Sequence, residues 1–93
     1  MFSWSTQKAL INFEKHRISF EEAATVFADS DALDWEDLIH SQQERRFKRL
    51  GQSIQGHLLL VVYTVRRLRN GKETVRIISA RAASRKERKA YAK

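Results

Sequence analysis

The stretch His57-Leu58-Leu59-Leu60-Val61-Val62-Tyr63-Thr64-Val65-Arg66 decides the fold class. Its β-branched and aliphatic residues run with almost no polar interruption, which is the pattern of a strand buried on both faces. Working outward, Asn70-Gly71 is a hairpin signal, because both residues tolerate the positive φ of a type I′ turn. Residues 75–79 are then the returning strand. On the other side, residues 45–50 read as a short basic strand, and Gly51 to Gly56 brackets the turn between the two. A hairpin loop of two or four residues puts Arg76 opposite Val65 and Arg66 opposite Val75, with the two arginines on opposite sheet faces. A three-residue loop breaks that parity.

Helical signals flank the strands. Ser5-Thr6 caps a helix over 6–16, whose apolar residues Ala9, Leu10 and Phe13 form one stripe facing a core. Ser19 and Glu22 have capping-box spacing, with Ile18 and Ala23 at the staple positions. Phe20, Ala23, Ala24 and Phe27 recur at i, i+3, i+4 and i+7, so a second helix is predicted over 20–28. Asp29-Ser30-Asp31 stops it. Residues 32–42 admit a brief helical turn or an irregular packed stretch. Ser84 and Glu87 open a last helix over 85–92, and residues 2–4 can add a leading edge strand. The predicted architecture is one α+β domain over 1–93: two N-terminal helices, a small antiparallel sheet of three to four strands and a C-terminal helix.

Composition narrows the function. The chain has 93 residues with no Cys and no Pro, enough for a single modest core. Without Cys there is no disulfide framework, thiolate metal site or Cys nucleophile, and a reducing, cytoplasmic setting fits. No apolar run approaches the ~20 residues of a membrane span, and the N-terminus lacks a signal-peptide layout. The net charge is +7, but residues 1–42 carry 3 basic side chains against 8 acidic, or −5, and residues 43–93 carry 15 against 3, or +12. Such a basic half attracts polyanions, nucleic acid above all.

The catalytic inventory is limited. His16, His40 and His57 lack metal-ligand spacing. The glycines are isolated, so no phosphate-cradling loop exists, and a serine-hydrolase elbow is absent. Arg, Lys, His, Glu and Tyr remain. That set suffices for metal-free cleavage of RNA, where the 2′-hydroxyl is the nucleophile and the protein supplies an acid, a base and cations around the phosphorane-like transition state. Lys8, Asn12 and Lys15 make a polar stripe on the first helix, and His16 falls at its end. Arg66 ends the central strand and Arg76 lies across from it. Arg81 and Arg85 are i, i+4 neighbours if the last helix begins early, as are Glu87 and Tyr91. Glu44, one of three acids in the basic half, begins the first strand beside Arg45 as a base or an organiser of that arginine. Each has a plainer role available: solvated charge, helix capping, edge protection or packing. A noncatalytic nucleic-acid- or partner-binding module explains the charge equally well.

These residues also carry a family resemblance. Lys15-His16-Arg17-Ile18-Ser19-Phe20-Glu21-Glu22-Ala23 resembles the "KHGIxFxEA" element of BrnT-type toxins, and Trp4, Lys8 and Asn12 match its lead-in. Asp29, Glu44-Arg45 with Gly51, and residues 61–66 are similar to later elements. Arg76-Ile77-Ile78-Ser79-Ala80-Arg81, followed by Ala83, Glu87, Arg88 and Tyr91, matches the closing "RIISARxAxxxERxxY". The resemblance implies a RelE-like, metal-independent ribonuclease toxin of a type II toxin–antitoxin system that inhibits growth. It further implies neutralisation by a BrnA-type ribbon-helix-helix antitoxin, in a complex that binds operator DNA. The expected catalytic residues are then His16, Glu44, Arg66, Arg81 and Tyr91. The expected RNA contacts are Lys8, Lys15, Arg45, Arg76, Arg85 and Arg88, with no cofactor and no metal. Two departures stand out: Arg17 replaces the family's usual Gly, and Ser5 its usual Asp.

Overall fold

The computed structural model describes residues 1–93. The elements run β1 (Phe2–Ser3), α1 (Thr6–His16), α2 (Phe20–Thr25) with a 3₁₀ turn over Val26–Ala28, β2 (Leu33–Glu36), a 3₁₀ turn over Leu38–His40, β3 (Phe47–Gln52), β4 (Leu58–Arg67), β5 (Glu73–Ala82) and α3 (Arg85–Tyr91). One five-stranded sheet has the order β1-β5-β4-β3-β2. It is mixed, because β1 pairs parallel to β5 and the other neighbours are antiparallel. The sequence expectation of three to four antiparallel strands therefore falls short. The strand missed was β2, in the stretch read as a turn or irregular. Its Leu33-Asp34-Trp35-Glu36 alternation puts both acids on the same sheet face as Arg49, and Asp34 pairs with Arg49 and Glu36 with Arg45. Leu33 and Trp35 stay about 40% exposed on the other face, so the strand is held by ion pairs and ladder bonds more than by a core.

β4 is central and buried on both sides, as its composition predicts. Leu59 and Val61 join Ile18, Phe20, Ala23, Val26, Ile77 and Ala80 in the main core beneath α1 and α2. Leu58 and Leu60 join Leu50 and Ala83 on the opposite face, where Tyr91 of α3 packs. Each fully buried aliphatic or aromatic side chain contributes about 1.5–3 kcal/mol of transfer free energy. The face turned away from α1 and α2 is termed the far face. α3 covers one end of it.

The helix ends follow the sequence with two differences. Ser5, Ser19 and Ser84 each accept a bond from the third backbone N–H downstream, and Ser84 with Glu87 completes a reciprocal box. Glu22 does not reciprocate with Ser19. Its buried carboxylate instead accepts bonds from Ser53 Oγ at 2.6 Å and His57 Nδ1 at 2.7 Å, tying α2 to the β3–β4 turn. Arg17 ends α1 in the left-handed region, at φ 61°, where Gly would sit without steric cost. Gly51 is required by packing: a Cβ there would lie 2.8 Å from Ala32 Cβ and 2.9 Å from Val26 Cγ1.

Asn12 is not a solvated member of a polar stripe. It is buried, and its side-chain amide pairs with both backbone groups of Ala80, donating to the carbonyl at 2.9 Å and accepting from the N–H at 3.1 Å, while donating also to the Ile18 carbonyl at 3.1 Å. β1 pairs with β5 only at residues 75 and 76. Asn12 therefore satisfies the strand edge beyond that point, where buried backbone groups need partners.

Candidate functional site

Register determines which arginines meet. The β4–β5 loop leaves residues 68–72 outside the ladder, an odd number, so Arg66 pairs with Thr74 and Arg76 with Thr64. Arg66 and Thr64 are two apart on one strand, and side chains two apart share a face. Arg66 and Arg76 therefore lie on the same face, contrary to the even-loop expectation. A second irregularity extends the alignment. Val62 pairs with Ser79 but Tyr63 pairs with Ile77, leaving Ile78 as an extra residue in β5. Arg76 and Arg81 are five residues apart, and on a regular strand they would face opposite ways. The bulge restores parity, so Arg81, opposite Leu60, joins Arg76 on the far face.

Three concavities adjoin there. One, of about 240 Å³, is lined by Asp37, His40, Arg46, Lys48, Arg81 and residues of β4 and β5. His40 and Arg46 also line a second of about 440 Å³ that reaches Glu44. Ile78 and Ser79 also line a third of about 200 Å³ that reaches Lys8, Lys15 and His16 on α1. The shared residues make one groove, running from Glu44 across the sheet to the polar side of α1. His16, expected on spacing alone, thus does border the strand that bears Arg81.

Carboxylates set the geometry of the cations. Arg81 is held by Glu87 through two hydrogen bonds of 2.9 Å. Bonding from Arg81 and from the Ser84 backbone outweighs burial and takes the Glu87 carboxyl down to about 2. Arg81 is a strand residue, so the expected helical pairing with Arg85 does not occur. Glu44 holds Arg66 at 3.1 and 3.3 Å. That bond, with the charges of Arg66, Arg46 and Arg76, lowers the Glu44 carboxyl against a smaller opposing effect of burial. Glu44 precedes β3 rather than beginning it and organises Arg66, not Arg45. Asp37 is buried, and burial pushes its carboxyl up. The His40 hydrogen bond at 2.9 Å and the charge of Lys48 outweigh this and leave it lowered.

Other expected residues sit elsewhere. Arg45 is turned to Glu36, with hydrogen bonds of 3.2 and 2.9 Å, and lies over the Phe47 ring. Tyr91 packs against the far-face core and donates to Asp29 Oδ2 at 2.7 Å, and that bond, with burial, raises the phenol to about 12. A phenol so committed is poorly matched to proton transfer near neutral pH. Arg85 and Arg88 are exposed on α3. No three His, Asp or Glu side chains gather as a metal ion would require. His40, Arg46, Lys48 and Asp37 escaped the sequence reading. A signal did exist: Arg46, Lys48 and Leu50 alternate, so a strand there places both cations on the face of Leu50.

Comparison with known proteins bears on the fold and the family. A crystal structure of the Brucella abortus ribonuclease toxin BrnT superposes with a TM-score of 0.65 over 91% of this chain and 99% of that one, at 20% sequence identity. At that identity the likeness is one of fold. No curated protein sequence matches the chain. The family model for BrnT, the ribonuclease toxin of type II toxin–antitoxin systems, matches residues 4–87, and on that match the chain belongs to the BrnT toxin family.

Proposed function

We propose that the protein cleaves RNA without a metal, by attack of the 2′-hydroxyl on the adjacent phosphate, along the far-face groove. The observation that carries this reading is the alignment of Arg66, Arg76 and Arg81 on one face with Lys48, next to Arg46. Arginine stays charged and hydrogen-bonds phosphate through a planar fork, so such a set stabilises the charge that builds on phosphorus. Carboxylate partners pre-orient Arg66 and Arg81, which removes part of the ordering cost at the moment of binding. Lys8, Lys15 and His16 extend the track on α1, and Arg85 and Arg88 add charge on α3. RNA supplies the nucleophile itself, so no Ser or Cys is needed.

The same groove suits an antitoxin. A BrnA-type ribbon-helix-helix protein that covers these cations would inhibit by occlusion and would carry the pair to operator DNA through its own DNA-binding surface. The deciding experiment incubates the purified protein with RNA in excess EDTA. Fragments ending in 2′,3′-cyclic phosphate support the reading. Intact RNA with tight, salt-dependent binding would instead make the protein a noncatalytic module.

A further inference from the structure

We infer that His40, held by Asp37, is the base that takes the proton from the RNA 2′-hydroxyl. This rests on the cleavage reading above and names the residue that starts the reaction.

His40 lies on the 3₁₀ turn over Leu38–His40, between β2 and β3, a segment with no strong sequence signal of its own. The turn places its ring over the far face, where it lines the cavity shared with Arg81, Lys48 and Arg46. Its Nδ1 is 2.9 Å from Asp37 Oδ2. Asp37 is only 7% exposed, and its backbone N–H donates to the Arg46 carbonyl at 2.8 Å, so its main chain is held to the segment leading into β3. An ionised carboxylate only accepts, so the Nδ1 position carries the proton and Nε2 carries the lone pair. The imidazole is 61% exposed, open to a ligand in the groove. A buried carboxylate that orients an exposed imidazole beside a cluster of cations is a recurrent arrangement for proton transfer.

The charged groups facing the ring come from three elements. Asp37 is on its own turn, Arg46 and Lys48 come from β3 and the segment before it, and Arg81 comes from β5. Glu44 lines the adjoining concavity. Lys48 Nζ is 4.0 Å from the same Asp37 oxygen, which positions a cation beside the dyad. The alternatives are less well placed. Tyr91 is bonded to Asp29 outside the groove, Glu44 is paired with Arg66, and His16 lines the neighbouring concavity with no carboxylate on its ring.

In the step, Nε2 takes the 2′-hydroxyl proton as the 2′-oxygen forms a bond to phosphorus. The bond from phosphorus to the 5′-oxygen breaks, and that oxygen takes a proton from water. The products are a 2′,3′-cyclic phosphate and a 5′-hydroxyl, and the imidazolium returns its proton to the hydroxide left behind. Atoms and charge balance without a further reactant.

The test compares wild type, His40→Ala and Asp37→Asn on an end-labelled RNA and in a translating extract, with melting curves as the fold control. We expect His40→Ala to cleave on the order of 10²–10³-fold more slowly while binding RNA as tightly as wild type, and added imidazole to restore part of the rate. Asp37→Asn lowers the rate less, because it loosens the ring without removing it, and imidazole does not help it. A folded His40→Ala that cleaves at the wild-type rate overturns the assignment of His40 and leaves the cleavage reading standing. Wild-type protein that produces no cyclic-phosphate ends in either assay overturns both. His16→Ala is expected to lose less of the cleavage rate than His40→Ala, through weaker RNA binding, and a loss equal to that of His40→Ala would move the base to α1.

Discussion

Glu87 on α3 grips Arg81 on β5 through both carboxylate oxygens, each 2.9 Å from a guanidinium nitrogen. The same carboxylate also accepts from the Ser84 N–H at 2.8 Å, closing the capping box of α3. One acid thus fixes the start of a helix and the aim of an arginine in the groove. Arg81→Ala is expected to slow RNA cleavage by on the order of 10²–10³-fold, with a melting temperature within a few degrees of wild type. Glu87→Gln is expected to reduce stability by about 1 kcal/mol. It also changes the acid side of the stability profile. The wild-type carboxyl is lowered from 4.5 to about 2, so its contribution is complete above pH 4.5 and is lost as the pH falls through about 2. The glutamine variant should lack that part of the decline. A profile parallel to wild type from pH 5 to 2 would contradict the pairing.

Arg66 and Arg76 share the far face with Arg81; Glu44 partners Arg66 as Glu87 partners Arg81, while Arg76 has no carboxylate bonded to it. Each should contact phosphate directly. Arg66→Ala and Arg76→Ala are each expected to weaken RNA binding and to reduce the slope of log K against log salt by about 1. Glu44→Gln, which removes the competing charge beside Arg66, should tighten binding at low salt. Titrations by fluorescence anisotropy at several salt concentrations decide this, and a slope unchanged in both arginine variants would remove them from the interface.

Asn12 replaces a missing strand at Ala80. Asn12→Ala leaves three buried backbone groups without partners and is expected to cost about 2–4 kcal/mol in denaturant unfolding. Asn12→Asp retains the acceptor but loses both donated bonds, so it should also destabilise, unlike an ordinary surface substitution. A loss below about 0.5 kcal/mol in both variants would mean that the amide is not the edge partner.

Arg17 pays a steric cost at φ 61° that glycine avoids. Its guanidinium lies 5.8 Å from the Phe13 ring centre, a weak compensation at an exposed site. Arg17→Gly is therefore expected to stabilise the protein by about 0.5–1 kcal/mol by equilibrium unfolding, with RNA binding unchanged apart from the loss of one peripheral charge. Destabilisation would indicate that the cation–π contact outweighs the backbone strain.

Much of the scaffold was legible because its signals are local. Ser5 fixed the start of α1, but of the stripe read as core-facing only Ala9 packs on the core, while Leu10 and Phe13 stay exposed; the aliphatic run fixed β4 to within one residue. Ser84 with Glu87 fixed α3. β2 was missed although Leu33-Asp34-Trp35-Glu36 alternates, because its apolar side faces no core and its acids look like loop charge. The site was less legible. Arg66, Arg76 and Arg81 could be singled out one by one, but their common face depends on a five-residue loop and on one extra residue at position 78. Neither leaves a mark in composition. Asp37 and His40 gain significance only through Arg46, Lys48 and Arg81, which tertiary folding brings to them. Asn12 belonged to a polar stripe by spacing, and only the end of β1 pairing explains why it is buried.

The bulge at Ile78 makes the site depend on counting as well as on chemistry. Along β5, odd and even positions are exchanged at that point, so every side chain on one side of it is indexed against those on the other. Deleting Ile78 would erase the bulge and leave Arg76 and Arg81 four residues apart on a regular strand, still on one face, whereas straightening the ladder with every residue kept would turn one of the two toward α1 and α2. The exposed turn at Gln55–Gly56 imposes no such bookkeeping and can change length at the modest cost of a longer closure. The five-residue spacing of Arg76 and Arg81 thus works only with one residue held outside the ladder, and if that residue entered it the far face would lose one of its three strand arginines.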